Sequence, residues 1–191
     1  MIKKIKNIIK ESIQVKEKLL KNQSREIYRA AKLIISCLKK GGKVIIFGNG
    51  GSAADSQHIV AELVGRFQKE RKPLPAIALT TNTSILTAIA NDYNYESVFQ
   101  KQIEALANKK DVVIGISTSG KAKSVINGII TAKRMGIKTI SLTGKKGTQF
   151  AKLTDISIVV PSEVTARIQE SHITVGHILC ELIEEKLFKN R

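Results

Sequence analysis

Residues that build disulfide frameworks, membrane spans and base-stacking surfaces are scarce in this chain. Its 191 residues include two cysteines (Cys37 and Cys180), no tryptophan, five phenylalanines and three tyrosines. Two cysteines are too few for a disulfide scaffold or a cysteine-rich zinc module, and they fit a reducing compartment. No apolar run approaches the roughly 18 residues of a membrane helix, and the charged amino terminus lacks the apolar segment of a signal peptide. We therefore expect a cytoplasmic protein that does not enter a membrane.

Positive charge is in excess, because 32 lysines and arginines stand against 16 acidic residues, giving a formal net charge of +16. Residues 1–40 alone hold 12 basic and three acidic residues. A surplus of this size makes nucleic acid a partner to consider. The chain has no zinc-finger spacing, no basic-region zipper and few aromatic residues on which bases could stack. We therefore expect a solvated, lysine-rich surface without bound nucleic acid, whose field attracts anionic substrates such as sugar phosphates.

Hydrophobic periodicity separates a helical amino-terminal part from an alternating part. Isoleucines recur at helical spacing over residues 2–20, and a second amphipathic stretch covers residues 24–38. The sequence thus predicts two amino-terminal helices within residues 1–40. Their isoleucine-rich face would be a large exposed apolar patch on a monomer, so we expect it to be used in oligomerisation.

Residues 41–191 read as the α/β core. Short β-branched runs alternate there with helical stretches, and most of these runs are nearly continuously apolar, which is typical of parallel strands covered on both faces. The pattern predicts a doubly wound α/β fold with a five-stranded parallel sheet. With only three prolines and no linker-like stretch, the chain reads as a single domain over residues 1–191. The strands are predicted at residues 43–47, 76–79, 112–116, 138–142 and 156–160.

Two predicted strand-to-helix junctions carry residues suited to an anionic ligand, and such junctions are where α/β folds bind ligands. Gly48–Ser52 follows the first strand with three glycines that let the backbone approach a ligand closely. Ser117-Thr118-Ser119-Gly120 ends the third strand just before a helix, where hydroxyl groups and free backbone N–H groups suit a phosphate. One hydroxyl would suffice to cap the helix, so capping is the alternative interpretation for this loop.

Side chains that could bind a metal or transfer a proton occur in two of the predicted helices. His58 and Glu62 lie four residues apart, on one helical face, where they can hold a metal or share a proton. Gln169, His172 and His177 lie in the last predicted helix. Taken singly, each histidine could equally be an ordinary polar residue of the fold.

Taken together, the segments GNGGSAADSQH, PAIAL, ANDY, GISTSG, SLTG and ARIQESH resemble, in this order, the sugar isomerase (SIS) domain family, and within it the sedoheptulose-7-phosphate isomerases. The resemblance covers nearly the whole chain. It implies a flavodoxin-like SIS fold, a homotetramer with active sites between chains, and an isomerase that converts sedoheptulose 7-phosphate to a manno-heptose 7-phosphate through an ene-diolate. The product would enter the synthesis of nucleotide-activated heptose for lipopolysaccharide or other surface glycans.

The resemblance also implies the roles of individual residues. One Zn²⁺ per subunit would be held by His58, Glu62, Gln169 and His177, an N/O ligand set that zinc accepts. Glu62 would be the base and His177 the general acid, whereas His172 matches no ligand position. Substrate contacts would come from the following residues: Asn49, Gly50, Gly51, Glu62, Asn91, Asp92, Ser117, Thr118, Ser119 and Gln169.

Gln169 and His177 pose a geometric difficulty, because eight residues of a regular helix span about 12 Å. Either the helix is irregular near Gln169, or a second subunit completes the site, which we favour. The chain also departs from the family pattern at Ala122, where a phosphate-contacting serine is usual.

A non-enzymatic SIS-fold adaptor that resembles the DnaA initiator-associating protein is the alternative function. That relative lacks the carboxylate and the imidazole at the positions of Glu62 and His177. Both groups are present in this chain, which favours the enzyme.

Overall fold

The computed structural model describes residues 1–188. Its first element, α1, is one continuous helix over Ile2–Lys39, so the prediction of two separate amino-terminal helices is wrong. The predicted break fell at the polar residues 21–23, which contain neither glycine nor proline. Ser24 keeps its hydroxyl inside the helix by donating to the carbonyl of Leu20. No residue there stops helix propagation, and the polar stretch is simply an exposed part of the helix.

The two halves of α1 differ in burial. Its buried side chains run from Val15 to Cys37. The contacts of residues 1–14 with the last helix of the chain include hydrogen bonds from Ser12 to Glu170 and from Arg167 to the carbonyl of Ile8. Before Val15, the isoleucine face is open, with Ile5 56% and Ile9 54% exposed. The amino-terminal half of α1 therefore extends an apolar face that its own chain does not cover.

The remaining elements alternate between strands and helices, as predicted. The strands are β1 (Val44–Gly48), β2 (Ala76–Ala78), β3 (Val112–Ser117), β4 (Lys138–Gly144) and β5 (Ile156–Val160). The helices are α2 (Gly51–Val64), α3 (Thr83–Asp92), α4 (Val98–Leu106), α5 (Lys123–Arg134), α6 (Thr148–Ala151) and α7 (Thr165–Leu187).

The five strands form one parallel sheet in the order β2-β1-β3-β4-β5. Helices α1, α2 and α7 cover one face and helices α4, α5 and α6 the other, so the central strands β1 and β3 are buried on both sides. This confirms the predicted doubly wound α/β fold. The strand order reverses between β1 and β3, and ligands of such sheets bind outside that switch point. No helix within residues 1–188 is long and apolar enough to cross a membrane.

Candidate active site and metal centre

Two loops, which we call the edge loops (residues 48–52 and 117–120), meet at the switch point because they follow the adjacent strands β1 and β3. In the first, Gly50 has a φ of +58°, a conformation that glycine adopts without strain. Gly51 lies directly against Gln169, since a Cβ at position 51 would collide with the Gln169 amide. The fold therefore places the Gln169 side chain against the first edge loop.

The second edge loop turns sharply at Gly120, where φ is +65° and a Cβ would lie 2.5 Å from the Cα of Gly147. Ser117 is buried, and its hydroxyl accepts the N–H of Gly120 at 3.1 Å. The Ser119 hydroxyl is exposed and accepts the N–H of Lys121 at 3.2 Å. The first residue before α5 is Ala122, which offers no side-chain cap. The Val125 N–H donates to the carbonyl of Ala122 at 3.0 Å, so the N–H groups of Lys123 and Ser124 are the ones without an acceptor among residues 1–188.

Asn49 links the first edge loop to the start of α5 and to the segment before α4 through hydrogen bonds. Its amide donates to the Ser124 hydroxyl at 3.0 Å, and its carbonyl oxygen accepts from the Tyr95 hydroxyl at 2.8 Å. Sequence reasoning missed Tyr95 and Ser124, because neither lies in a motif and both are far from Asn49 in the chain. The side chain of Asn49 is thereby fixed at the switch point.

His58, Glu62 and His177, which we call the metal cluster, lie together on facing helices. The Nε2 atom of His58 is 3.1 Å from Oε1 of Glu62 and 3.4 Å from Nε2 of His177. One ligating atom from each of the three residues lies within 4.8 Å of those of the other two. Helix α2 supplies His58 and Glu62 at i and i+4, and α7, which packs beside α2, supplies His177.

The spacing of these atoms fits a metal ion. Two atoms bound to one tetrahedral zinc at roughly 2.0–2.1 Å lie about 3.3 Å apart. The two observed separations of 3.1 and 3.4 Å bracket this value. The fourth predicted ligand, Gln169, is an oxygen donor that lies against Gly51 instead. The described chain therefore brings together three of the four predicted ligands in an arrangement suited to a metal.

Helix α7 is continuous from Thr165 to Leu187. An irregular helix therefore does not bring Gln169 and His177 of one chain to the same ion. The two residues are eight positions apart, about 12 Å along the helix axis. The metal cluster is likewise displaced from the edge loops of its own chain, because His58 follows Gly51 by seven residues, about 10 Å along α2. Within one chain, the metal cluster and the edge loops with Gln169 thus form two separate groups.

Asn91 and Asp92 lie at the exposed carboxyl end of α3. The amide of Asn91 donates to the carboxylate of Asp92 at 3.0 Å. Their side chains have no hydrogen bond to either edge loop or to the metal cluster among residues 1–188. Their assignment as sugar contacts stays a prediction.

Asp55 was missed by sequence reasoning, although its spacing could have revealed it. It precedes His58 by three and Glu62 by seven residues, so all three share one face of α2. One of its carboxylate oxygens is buried with no hydrogen-bond partner in the described chain. Burial raises the pKa of Asp55 to about 6, against the opposing effect of nearby His58. An acidic group that is easily protonated therefore lies one turn from the metal cluster.

His172 is fully buried beside the backbone of Thr143, with neither ring nitrogen hydrogen-bonded within residues 1–188. Burial lowers the pKa of His172 to about 4, so the ring is neutral at physiological pH. His172 is no part of the metal cluster. The interpretation of this histidine as a structural residue agrees with its position in the core.

A parallel sheet of this order with a hydroxyl-rich loop at its switch point defines the class of the protein as a doubly wound α/β fold with a ligand-binding edge. Residues 8–144 match the family model for the SIS domain. The chain is 54% identical over 185 residues to a phosphoheptose isomerase from Aquifex aeolicus, covering 97% of each chain. It is 51% identical over 191 residues to that of Geotalea daltonii, covering both chains completely.

Solved structures agree with these sequence relatives. A phosphoheptose isomerase from Neisseria gonorrhoeae superposes with a TM-score of 0.91 at 41% identity, covering 96% of this chain and 98% of that one. The enzyme from Francisella tularensis gives a TM-score of 0.93 at 38% identity with the same coverage. The chain belongs to the SIS domain family and, within it, to the phosphoheptose isomerases. The prediction of an isomerase is confirmed, and the adaptor alternative is set aside.

Proposed function

We propose that the chain converts sedoheptulose 7-phosphate to D-glycero-D-manno-heptose 7-phosphate, with the metal cluster as its reaction centre. The observation that carries this assignment is the proximity of a carboxylate and an imidazole, Glu62 and His177, whose ligating atoms lie within 4.8 Å of each other. A ketose-to-aldose isomerisation needs a base that moves a proton between neighbouring carbons and an acid that serves the oxygens. These two side chains are of the required types and at the required separation.

In this proposal, Glu62 removes a proton from C1 of the ketose and returns it to C2, so that an ene-diolate forms and decays between the two transfers. His177, through the ring nitrogen that does not bind the metal, protonates the carbonyl oxygen at C2 and takes up the proton of the C1 hydroxyl as the new carbonyl forms. Imidazole is suited to both directions of oxygen proton transfer near neutral pH. Atoms and charge balance without any co-substrate.

We further propose that the resident metal is zinc, one per subunit, held by His58, Glu62 and His177 with Gln169 as the fourth ligand. When bound, zinc supplies a Lewis acid that polarises the substrate carbonyl. The two nitrogen ligands and the carboxylate agree with the donors that zinc prefers. Because Glu62 has both a ligand and a base role, one of its carboxylate oxygens must be free to reach C1.

The phosphate is assigned to the second edge loop, with Ser117, Thr118 and Ser119 and the uncapped start of α5. Because the Ser117 hydroxyl already accepts the Gly120 N–H, we expect Thr118, Ser119 and the backbone to make the main phosphate contacts. Asn49, Gly50, Gly51, Asn91, Asp92 and Gln169 are proposed to contact the sugar. Lys121 or Lys123 could offset the hydroxyl missing at Ala122 by charge.

A homotetramer is proposed to complete the site. Two observations support it: the isoleucine face of the first half of α1 is open, with Ile2 72% and Ile13 51% exposed, and the metal cluster lies two to three turns along α2 from its own edge loops. A neighbouring chain would bring its edge loop or its Gln169 to the metal cluster. We place this enzyme in the cytoplasm, in the supply of heptose for lipopolysaccharide or other surface glycans.

The test is incubation of the purified chain with sedoheptulose 7-phosphate, with and without a strong chelator, followed by identification of the product. We expect the manno-configured heptose 7-phosphate without chelator and little product with it. Substrate returned unchanged by the metal-loaded chain would contradict the proposed substrate.

A further inference from the structure

A buried ion pair holds the segment that joins α2 to β2, residues 65–75, against α7. The Nε atom of Arg71 donates to Oε1 of Glu184 at 2.8 Å, and both side chains are 1% exposed. Arg71 lies in this connecting segment and Glu184 lies on α7. The proposed isomerase mechanism assigns neither of these residues a role.

Arg71 closes the carboxyl end of α2, the helix that carries His58 and Glu62. Its guanidinium donates to the carbonyl of Glu62 at 2.7 Å and to that of Leu63 at 2.8 Å. The last carbonyls of a helix have no partner within the helix and carry its partial negative charge. A buried arginine at this point therefore fixes the position of the turn from which Glu62 projects.

Glu184 holds the same segment from the side of α7. Its carboxylate accepts the backbone N–H groups of Phe67, Gln68 and Lys69 at 2.9, 2.8 and 3.0 Å. Burial alone would raise the pKa of Glu184, but the three N–H groups and Arg71 hold it below its usual value, so the carboxylate is charged. On α7, Glu184 follows His177 by seven residues and shares its helical face.

Phe67 connects this network to the metal cluster. Its ring centroid lies 5.5 Å from that of His177 with an interplanar angle of 30°. The His177 ring also meets the His58 ring edge-on, with centroids 5.0 Å apart. The orientation of His177 thus depends on the place of Phe67, whose backbone N–H is held by Glu184.

We propose that Arg71 and Glu184 are positioning residues of the isomerase: they hold residues 65–75 so that Phe67 keeps the His177 imidazole facing His58 and Glu62. The inference rests on the metal site proposed above. Neither residue touches a reacting atom, and their effect passes through Phe67 and the last turn of α2. Interactions that orient metal ligands in this way typically change metal affinity or activity 10–100-fold.

The test compares Glu184→Gln with a matched control, Asp111→Asn. Asp111 is also a buried carboxylate that accepts backbone N–H groups, from Lys43 and Asn108, and a cation, Lys43 Nζ at 2.7 Å. Its partners belong to neither α2 nor α7. For both variants we would measure the free energy of unfolding in urea with chelator present, zinc affinity by competition with a chromogenic chelator, and kcat and KM at saturating zinc.

Both variants should unfold at lower urea concentration than the wild type, because each loses charge-assisted hydrogen bonds. Only Glu184→Gln should bind zinc 10–100-fold more weakly and lose kcat, with KM little changed. Phe67→Ala, at a half-buried position, should reproduce the loss of zinc affinity if Glu184→Gln folds poorly, and Phe67→Tyr should restore it by keeping the ring.

Wild-type zinc affinity and kcat in both Glu184→Gln and Phe67→Ala would overturn the proposal. An equal loss of zinc affinity in Asp111→Asn would overturn it as well, since general loosening of the fold would then explain the effect. A wild-type chain that binds no zinc would contradict the metal site itself, and with it this inference, so the two failures are distinguishable.

Discussion

At the end of the sheet where the strands begin, the Asp111 carboxylate accepts hydrogen bonds from two backbone N–H groups and from the Lys43 ammonium group. In the metal cluster, the side chains of His58, Glu62 and His177 hydrogen-bond only with one another among residues 1–188. Both places hold ionisable side chains, but the two differ in what their polar atoms bind. Asp111 is satisfied by protein donors, whereas the metal cluster points its ligating atoms at a common space.

Asp155 belongs with Asp111 in this comparison. It accepts the N–H of Thr139 at 2.9 Å, the Thr139 hydroxyl at 2.8 Å and the Lys138 ammonium at 3.1 Å. Burial alone would raise the pKa of Asp155, but these donors hold it below its ordinary value. A carboxylate that accepts several hydrogen bonds from protein donors holds a loop in place. A carboxylate that accepts few is available to bind a ligand. The difference supports our proposal that the metal cluster is the functional site.

The largest effect should follow from Glu62→Gln, which keeps the shape of the side chain but removes its basicity. An amide cannot take the C1 proton, and loss of such a base typically lowers kcat by about 10²–10⁴-fold. Asp111→Asn, the same chemical change at a satisfied carboxylate, should leave kcat unchanged. Steady-state kinetics with sedoheptulose 7-phosphate checks both. A Glu62→Gln enzyme with more than about a tenth of wild-type kcat would remove Glu62 from this role.

The next largest effect should be the loss of bound metal in His177→Ala, for which His172→Leu is the control. His177→Ala removes a ligand and the proposed acid together, so bound zinc and activity should both be lost. His172 has no hydrogen-bond partner to lose, and leucine is an apolar side chain of similar bulk, so this variant should keep both. Elemental analysis of the purified proteins decides the matter. Zinc lost from the His172 variant and kept by the His177 variant would show that the ligand assignment on α7 is wrong.

A smaller effect is expected from Gly120→Ala in the second edge loop, with Gly136→Ala as its control. Both glycines have positive φ, +65° and +74°, so alanine costs each roughly 1–2 kcal/mol of stability. Only at position 120 would the added Cβ press on Gly147, at 2.5 Å from its Cα. We therefore expect a raised KM for the sugar phosphate in Gly120→Ala alone. Equal KM values in the two variants would argue against a phosphate role for this loop.

The last prediction concerns the stability of the fold in acid rather than its activity. The pKa of His172 is about 4 in the folded chain because of its burial, and the ordinary value is about 6.5. As the pH falls from about 6.5 towards 4, the unfolded chain takes up a proton that the folded chain refuses, so stability is lost over this range. The loss by pH 4 is about 3 kcal/mol. It should be absent from His172→Leu when urea unfolding of both proteins is compared at pH 7 and pH 4.5 with chelator present; equal acid losses would contradict it.

Much of this architecture could be predicted from local patterns. Continuous β-branched runs located all five strands, and the clusters of glycine and hydroxyl residues located the edge loops, because both features depend on residues adjacent in sequence. The continuity of α1 was missed, since a short polar stretch was interpreted as a break although Ser24 stays in the helix. Asp55 was missed although its helical spacing from His58 was visible.

Other parts of the site had no local signal. Arg71 and Glu184 are 113 residues apart, and only the packing of α2 beside α7 brings them together. Tyr95 reaches Asn49 for a similar reason, across 46 residues. Contacts from a neighbouring chain lie beyond what patterns within one sequence can locate. Sequence reasoning therefore found the groups that carry chemistry better than the groups that position them.

In the proposed function, His58, Glu62 and His177 form one catalytic metal site per chain. Its most direct test is a titration of the metal-stripped protein with zinc while the rate of conversion of sedoheptulose 7-phosphate is followed. We expect negligible conversion at the start and a linear rise that saturates at one zinc per chain. Full activity in the stripped protein, or a rate that does not respond to zinc or to any other divalent metal, would contradict it.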